Sequence, residues 1–226
     1  MFDNISENLK IIQFNIGEAK ARYRNKSDVV RLMAVTKTVP YDRINYVIGQ
    51  GVDLLGENRV QEYLEKKDNY DKSADVHFIG HLQSNKVKYI ADSVKCIHSI
   101  DNFRLASEID RIAASKGIDM DVLIEVNIGG EESKSGVLSD EVYDLISEIS
   151  ALNNVKIKGL MTIPPRENPE FYFDKMNILF SDIKSRRIDN VSMDILSMGM
   201  SGDYVEAIKH GSNIVRIGSA LFGARK

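Results

Sequence analysis

The chain has 226 residues, 43% of them hydrophobic, and a formal net charge of −3. That is enough apolar material for a sizeable core and too little positive charge for broad binding to nucleic acid or anionic membranes. One cysteine, Cys96, excludes an intrachain disulfide; no apolar run reaches membrane-spanning length; and early acids stand where a secretory leader would be basic, so a cytoplasmic protein without membrane contact is expected.

Phe2, Ile5, Leu9, Ile12, Ile16 and Ala19 recur at spacings of three and four, the apolar face of an opening helix that is expected to pack on its own domain. Residues 30–36 form an apolar run that ends at Lys37, with Pro40 closing it, which reads as a buried strand. The same cycle then repeats. Ile44, Val47 and Ile48 mark a helix before Gly51, and residues 53–58 a strand. Val60 and Leu64 open a charged helix before a strand at 76–80. Val87, Ile90 and Ala91 suggest a helix leading to a strand at 96–101. Leu105, Ala106, Ile109, Ile112 and Ala113 give a clearer helix ended by Gly117, followed by a strand at 122–127. Val142, Leu145, Ile146 and Ile149 precede a strand at 157–163 that Pro164 and Pro165 terminate. Phe173, Met176, Leu179, Phe180 and Ile183 precede a strand at 195–200, and a short helix at 204–210 precedes the last, at 214–218.

Eight strands in strict alternation with helices imply right-handed crossovers and a parallel sheet. Gly51, Gly117 and Gly211 sit where left-handed helix C-caps belong. The fold class is therefore α/β, a (β/α)8 TIM barrel with an extra N-terminal helix, in a single domain over residues 1–226. An open doubly wound sheet would carry a glycine-rich phosphate loop after its first strand, and Thr36-Lys37-Thr38-Val39-Pro40 is not one.

In such a barrel the chemistry lies at the C-terminal strand ends. These ends offer Lys37, Asn58, His81, Asp101, Asn127, Thr162, Ser201 and Gly218-Ser219. The last two loops follow the seventh and eighth strands, the recurrent phosphate site of these barrels. A strand-end lysine is partly desolvated, which favours its nucleophilic form and Schiff-base chemistry with an aldehyde. An aldehyde carrying its own phosphate fits both features, and pyridoxal 5′-phosphate is the obvious candidate.

Several stretches also resemble one family. They are Met33-Ala34-Val35-Thr36-Lys37-Thr38, Leu55-Gly56-Glu57-Asn58-Arg59-Val60-Gln61-Glu62, residues 77–86, Asn127 with Ser133-Lys134-Ser135-Gly136, Gly159-Leu160-Met161-Thr162-Ile163, Leu196-Ser197-Met198-Gly199-Met200-Ser201, and the closing stretch 215–225 with Ala224-Arg225. Together they are similar to the pyridoxal phosphate homeostasis (YggS/PROSC) proteins, from the first strand to the C-terminus. The resemblance implies a barrel of the alanine racemase N-terminal domain type, with pyridoxal 5′-phosphate (PLP) held as a Schiff base on Lys37. It also implies a role in binding, buffering and supplying that cofactor, without an established catalytic activity. By the family pattern Ser201, Gly218 and Ser219 hold the phosphate, Arg216 faces the pyridine nitrogen, Asn58 the phenolic oxygen and Met198 the ring. Two departures, Thr36 for a frequent serine and His81 for a common proline, touch neither lysine nor phosphate set.

Arg216 stays protonated, so it can only donate to a ring nitrogen, which makes the ring a poor electron sink. His77 and His98 lie within strands and are expected as core residues, and Cys96 as a buried inert thiol. No His, Cys or Asp spacing suggests a metal site. Glu57, Asp101 and Glu125 are expected in structural pairing. Beside the carrier, the same residues admit a PLP-dependent racemase or decarboxylase, or a Schiff-base aldolase. The expected partners are the cofactor and PLP-dependent acceptor enzymes, and the expected state is a monomer or weak homodimer, with no further domain after residue 226 to cover the mouth.

Overall fold

The computed structural model describes residues 2–223. Among them are eight α-helices, α1 (Asp3–Tyr23), α2 (Tyr41–Gly49), α3 (Val60–Lys66), α4 (Phe103–Lys116), α5 (Val142–Ser150), α6 (Pro169–Ser185), α7 (Tyr204–Lys209) and α8 (Ser219–Phe222). The strands are β1 (Arg31–Val35), β2 (Leu54–Glu57), β3 (Asp75–Phe78), β4 (Cys96–Ile100), β5 (Met120–Asn127), β6 (Val137–Leu138), β7 (Val155–Met161), β8 (Val191–Ser197) and β9 (Ile214–Ile217). All pairings are parallel, in the order β4-β3-β2-β1-β9-β8-β7-β5, and a β4–β5 pairing closes the ring. This is the eight-stranded barrel expected from the alternation. The two-residue β6 is an addition to it, outside the ring and paired only with the end of β5. The closing motif's Ala224 and Arg225 lie outside the described residues.

Side chains alternate along each strand, so one set faces the helices and the other the barrel lumen. The outward set, with Ala34, Leu55, Phe78, Ile97, Val122, Ile124, Leu160, Leu196 and Val215, joins the helix faces in one continuous apolar layer. The lumen holds smaller apolar groups, Met33 with Leu54 and Ile214, and Cys96 with Leu123 and Met161. Polar residues fill the rest of it, which is where the site lies.

The helix signals act as the sequence implies. Asn102 caps α4 by accepting from the Leu105 N–H at 2.9 Å, and Gly117 ends it at φ +66°. Pro169 opens α6 at its first turn. The apolar face of α1 packs on α7 and α8, as expected for its own domain, and Asn8 and Asn15 fix the contact by donating to the Leu221 carbonyl (3.1 Å) and the Tyr204 hydroxyl (2.8 Å). One element differs from expectation. The helix anticipated around Val87, Ile90 and Ala91 is a 3₁₀ helix over Ser84–Tyr89. Val87 is the one buried residue of those six, and Ile90 and Ala91, also buried, follow the short turn rather than extend it as an α-helix.

Candidate site at the C-terminal mouth of the barrel

Because every barrel strand points the same way, the C-terminal ends open on a single mouth. Strand β9 pairs with β1 on one side and β8 on the other. Lys37 after β1, Gly218 and Ser219 after β9, and Ser201 after β8 therefore leave three adjacent strands. Gly218 lies so close to β1 that a Cβ there would stand 3.5 Å from Val35 Cβ. Ser201 Oγ accepts from the Ala220 N–H at 3.2 Å, which ties the loop after β8 to the one after β9. Ser201 and Gly218 are half-buried and Ser219 is exposed, so this cup faces outward.

Lys37 is half-buried, between two residues that are firmly held. On one side Thr36 is fully buried, and its hydroxyl donates to Glu57 Oε1 at 2.6 Å. The Tyr70 hydroxyl donates to the same oxygen at 2.5 Å, and Lys66 Nζ lies 3.3 Å from it. On the other side Thr38 sits at φ +62°, a conformation costly for a β-branched residue. Its N–H donates to Glu62 Oε1 at 2.5 Å. Lys66 ties both sides together, donating to the Thr36 carbonyl at 3.0 Å and to Glu62 at 2.8 Å. Burial works to raise the Glu62 carboxyl, yet the bonds from Lys66 and Thr38 hold it below the usual carboxylate range. Burial and the neighbouring Glu57 charge push the Tyr70 phenol far up, so it remains a donor.

The floor of the mouth is set by Arg216. Its guanidinium is 4% exposed and donates to the Ser197 carbonyl (2.7 Å), the Ser197 hydroxyl (2.9 Å) and the Thr162 carbonyl (2.8 Å). Burial lowers its pKa to about 10, which leaves it cationic at neutral pH. Glu125, also buried, is pushed up to about 7 by burial and by the Asp101 charge, against the pull of Arg216. Asn58 brings an acceptor, Oδ1, that is buried without a hydrogen-bond partner among the described residues. It stands where β2 and β3 come closest: a Cβ on Gly80 would lie 2.1 Å from the Asn58 carbonyl oxygen, so only glycine fits there.

The anticipated site residues thus divide. Lys37, Asn58, Ser201, Arg216, Gly218 and Ser219 stand at the mouth or just below it. Met198 does not: it is fully enclosed and packs into the layer between strands and helices, where it seats the loop from behind. Glu57 is structurally paired as expected. His81 is exposed beside the mouth, and Cys96 is buried with its thiol pushed well up by burial. Two groupings were not visible in the sequence. One is the Thr36–Glu57–Tyr70–Lys66–Glu62 network under Lys37, for which the lysine-bearing helix after β2 was the available clue. The other joins residues expected only as core: β3 and β4 bring His77, Cys96 and His98 together, with ligand atoms within 4.8 Å of one another.

The family model for the alanine racemase N-terminal domain matches residues 8–226. A protein of Aquifex aeolicus named "Pyridoxal phosphate homeostasis protein" is 45% identical over 99% of both chains. Among solved structures, an unknown protein from Bifidobacterium adolescentis superposes with a TM-score of 0.92 at 33% identity, covering 97% of this chain and 94% of that one. PipY of Synechococcus elongatus PCC7942, solved with PLP bound, superposes with a TM-score of 0.78 at 28% identity, over 92% of this chain and 98% of that one. The barrel, its mouth and these likenesses together make the chain a member of the alanine racemase N-terminal domain family, among the relatives named pyridoxal phosphate homeostasis proteins.

Proposed function

We propose that this protein binds pyridoxal 5′-phosphate and serves its intracellular homeostasis, anchoring the cofactor on Lys37 and releasing it to acceptor enzymes. The observation that carries the reading is the adjacency of three strand ends: a half-buried lysine after β1 beside two joined serine and glycine loops after β9 and β8. The residues present suit the group. Ser201, Gly218 and Ser219 offer hydroxyl and backbone donors for a phosphate, and a ligand hydroxyl would give Asn58 Oδ1 the donor it otherwise lacks. When bound, the cofactor supplies an aldehyde that a lysine amine can capture covalently.

The chain's own residues then do three things. The Lys66 network fixes the backbone on both sides of Lys37, so the amine is presented from a rigid turn. Arg216 can only donate, and its charge disfavours a proton on a ring nitrogen placed against it, which suits holding over turnover. The mouth stays open for exchange. An open groove of about 680 Å³, bordered by Lys134, Ile163, Pro165, Arg166 and Met200, runs beside the Ser201 loop. A single-domain cytoplasmic protein, monomeric or weakly dimeric, accords with this role, and no described helix is long and apolar enough to cross a membrane.

The test is a titration with pyridoxal 5′-phosphate, followed by gel filtration and near-ultraviolet absorbance. One equivalent of retained chromophore is expected, lost in Lys37→Ala and leached by added phosphate-free amines. Equal retention by Lys37→Ala would refute the anchor. D-alanine accumulating from L-alanine at enzymatic rates would replace the carrier with a racemase.

A further inference from the structure

Strands β3 and β4 pair with His77 opposite Cys96, and His98 follows two residues along β4 on the same face. All three side chains are buried, and their ligand atoms lie within 4.8 Å of one another. His77 Nδ1 and His98 Nε2 share a hydrogen bond of 2.8 Å. That bond accounts for one nitrogen of each ring. It leaves His98 Nδ1 buried without a partner among the described residues, at a cost a purely structural pair would avoid. Cys96 packs in the lumen against Leu123 and Met161, with the two imidazoles as its nearby ligand groups.

Two imidazoles and a thiol are ligands for soft and borderline metals, and they exclude magnesium and calcium. Charge then decides among the candidates. The three side chains are buried, the Arg216 cation lies near His98, and net charge buried there is costly. A divalent ion bound to one thiolate would leave an added positive charge and would call for a fourth ligand. A monovalent copper ion bound to one thiolate adds none, and three ligands satisfy it. We propose that His77, Cys96 and His98 form a three-coordinate site for monovalent copper in the β3–β4 wall of the barrel. On binding, the Cys96 S–H bond breaks and its proton passes to solvent. A sulfur–copper bond forms, the bond between the imidazoles opens, and each ring gives one lone pair. No electron is transferred, because the ion enters and stays as copper(I).

The experiment is an anaerobic titration of the purified protein with copper(I) held by a chromogenic copper(I) chelator. The protein should withdraw one equivalent, and X-ray absorption should show one sulfur and two nitrogens around the ion. Cys96→Ser and His77→Gln should each weaken the site about 100-fold or more, since even outer-shell changes cost metal sites 10–100-fold. Circular dichroism checks that each variant is folded, and Cys96→Ala substitutes for a serine variant that is not. No withdrawal from the chelator would overturn the site. So would an undiminished equivalent in a folded Cys96 variant, sulfur-only coordination, or tighter binding of zinc(II) in a parallel titration.

Discussion

The two walls of the barrel differ in how their polar groups are satisfied. On the β8–β9–β1 side Arg216 bonds Ser197 and Thr162, and Ser201 bonds the start of α8. Every one of these contacts is made by the protein itself, so this wall is organised before any ligand arrives. Across the lumen, on the β2–β4 side, Glu57 Oε2, Asn58 Oδ1, His98 Nδ1 and Ser99 Oγ are buried without hydrogen-bond partners among the described residues, against Ser192 Oγ on β8. Buried polar groups are nearly always paired, so a wall with four exceptions holds more groups that a ligand could satisfy. The finished wall presents the cup and the anchor, and the unfinished one shows where ligands supply what the chain does not.

The strongest way to break this comparison is at the seam between the walls. Lys66→Met leaves Glu57, which is 0% exposed, without its counter-charge although Thr36 and Tyr70 still donate to it, and should cost about 3 kcal/mol in urea unfolding. Adding Glu57→Gln to it should restore part of that loss; no restoration would mean Lys66 acts by packing alone. Next, Arg216→Met strands the Thr162 carbonyl and removes one of two donors to the Ser197 carbonyl, and should cost about 2 kcal/mol at the same readout. A near-neutral result would show that the organised wall is not held by its arginine.

Glu125 sharpens the contrast through pH. Burial and Asp101 raise it from 4.5 to about 7. The folded state therefore binds the extra proton in that window, and the stability it contributes is full below 4.5 and lost as pH rises through 7. Glu125→Gln should flatten this slope and leave the variant more stable than the parent above pH 7, by up to about 3 kcal/mol. Parallel stability curves for the two proteins would contradict the assignment. The smallest effect is expected at Thr38→Gly, which relieves the left-handed backbone strain and should gain about 0.5 kcal/mol. Its thermal midpoint should rise slightly, and a fall would mean the Thr38 side chain itself holds the lysine turn.

Much of this was readable in the chain. Apolar runs, some of them closed by glycine or proline, located all eight barrel strands, because parallel strands buried on both faces cannot be polar for long. The mouth followed from topology once the strands were ordered, so Lys37, Ser201 and Gly218 could be placed together. β6 escaped because two residues, Val137 and Leu138, carry no period. The 3₁₀ turn over Ser84–Tyr89 escaped because Val87, Ile90 and Ala91 are all buried in the core, at a spacing that imitates a helix face although Ile90 and Ala91 lie just past the turn. The Lys66 network and the His77–Cys96–His98 grouping depend on which strands lie side by side and at what register, and no local spacing encodes that. Met198 misled for a related reason: family position placed it by the ring, while packing turns it into the outer layer.

Lys37 is the anchor on which cofactor binding depends most directly. Borohydride reduction of the protein loaded with pyridoxal 5′-phosphate, followed by peptide mass mapping, should give a single pyridoxyl phosphate adduct on the peptide carrying Lys37. An unmodified Lys37 peptide, with the adduct on another lysine or absent, would contradict it.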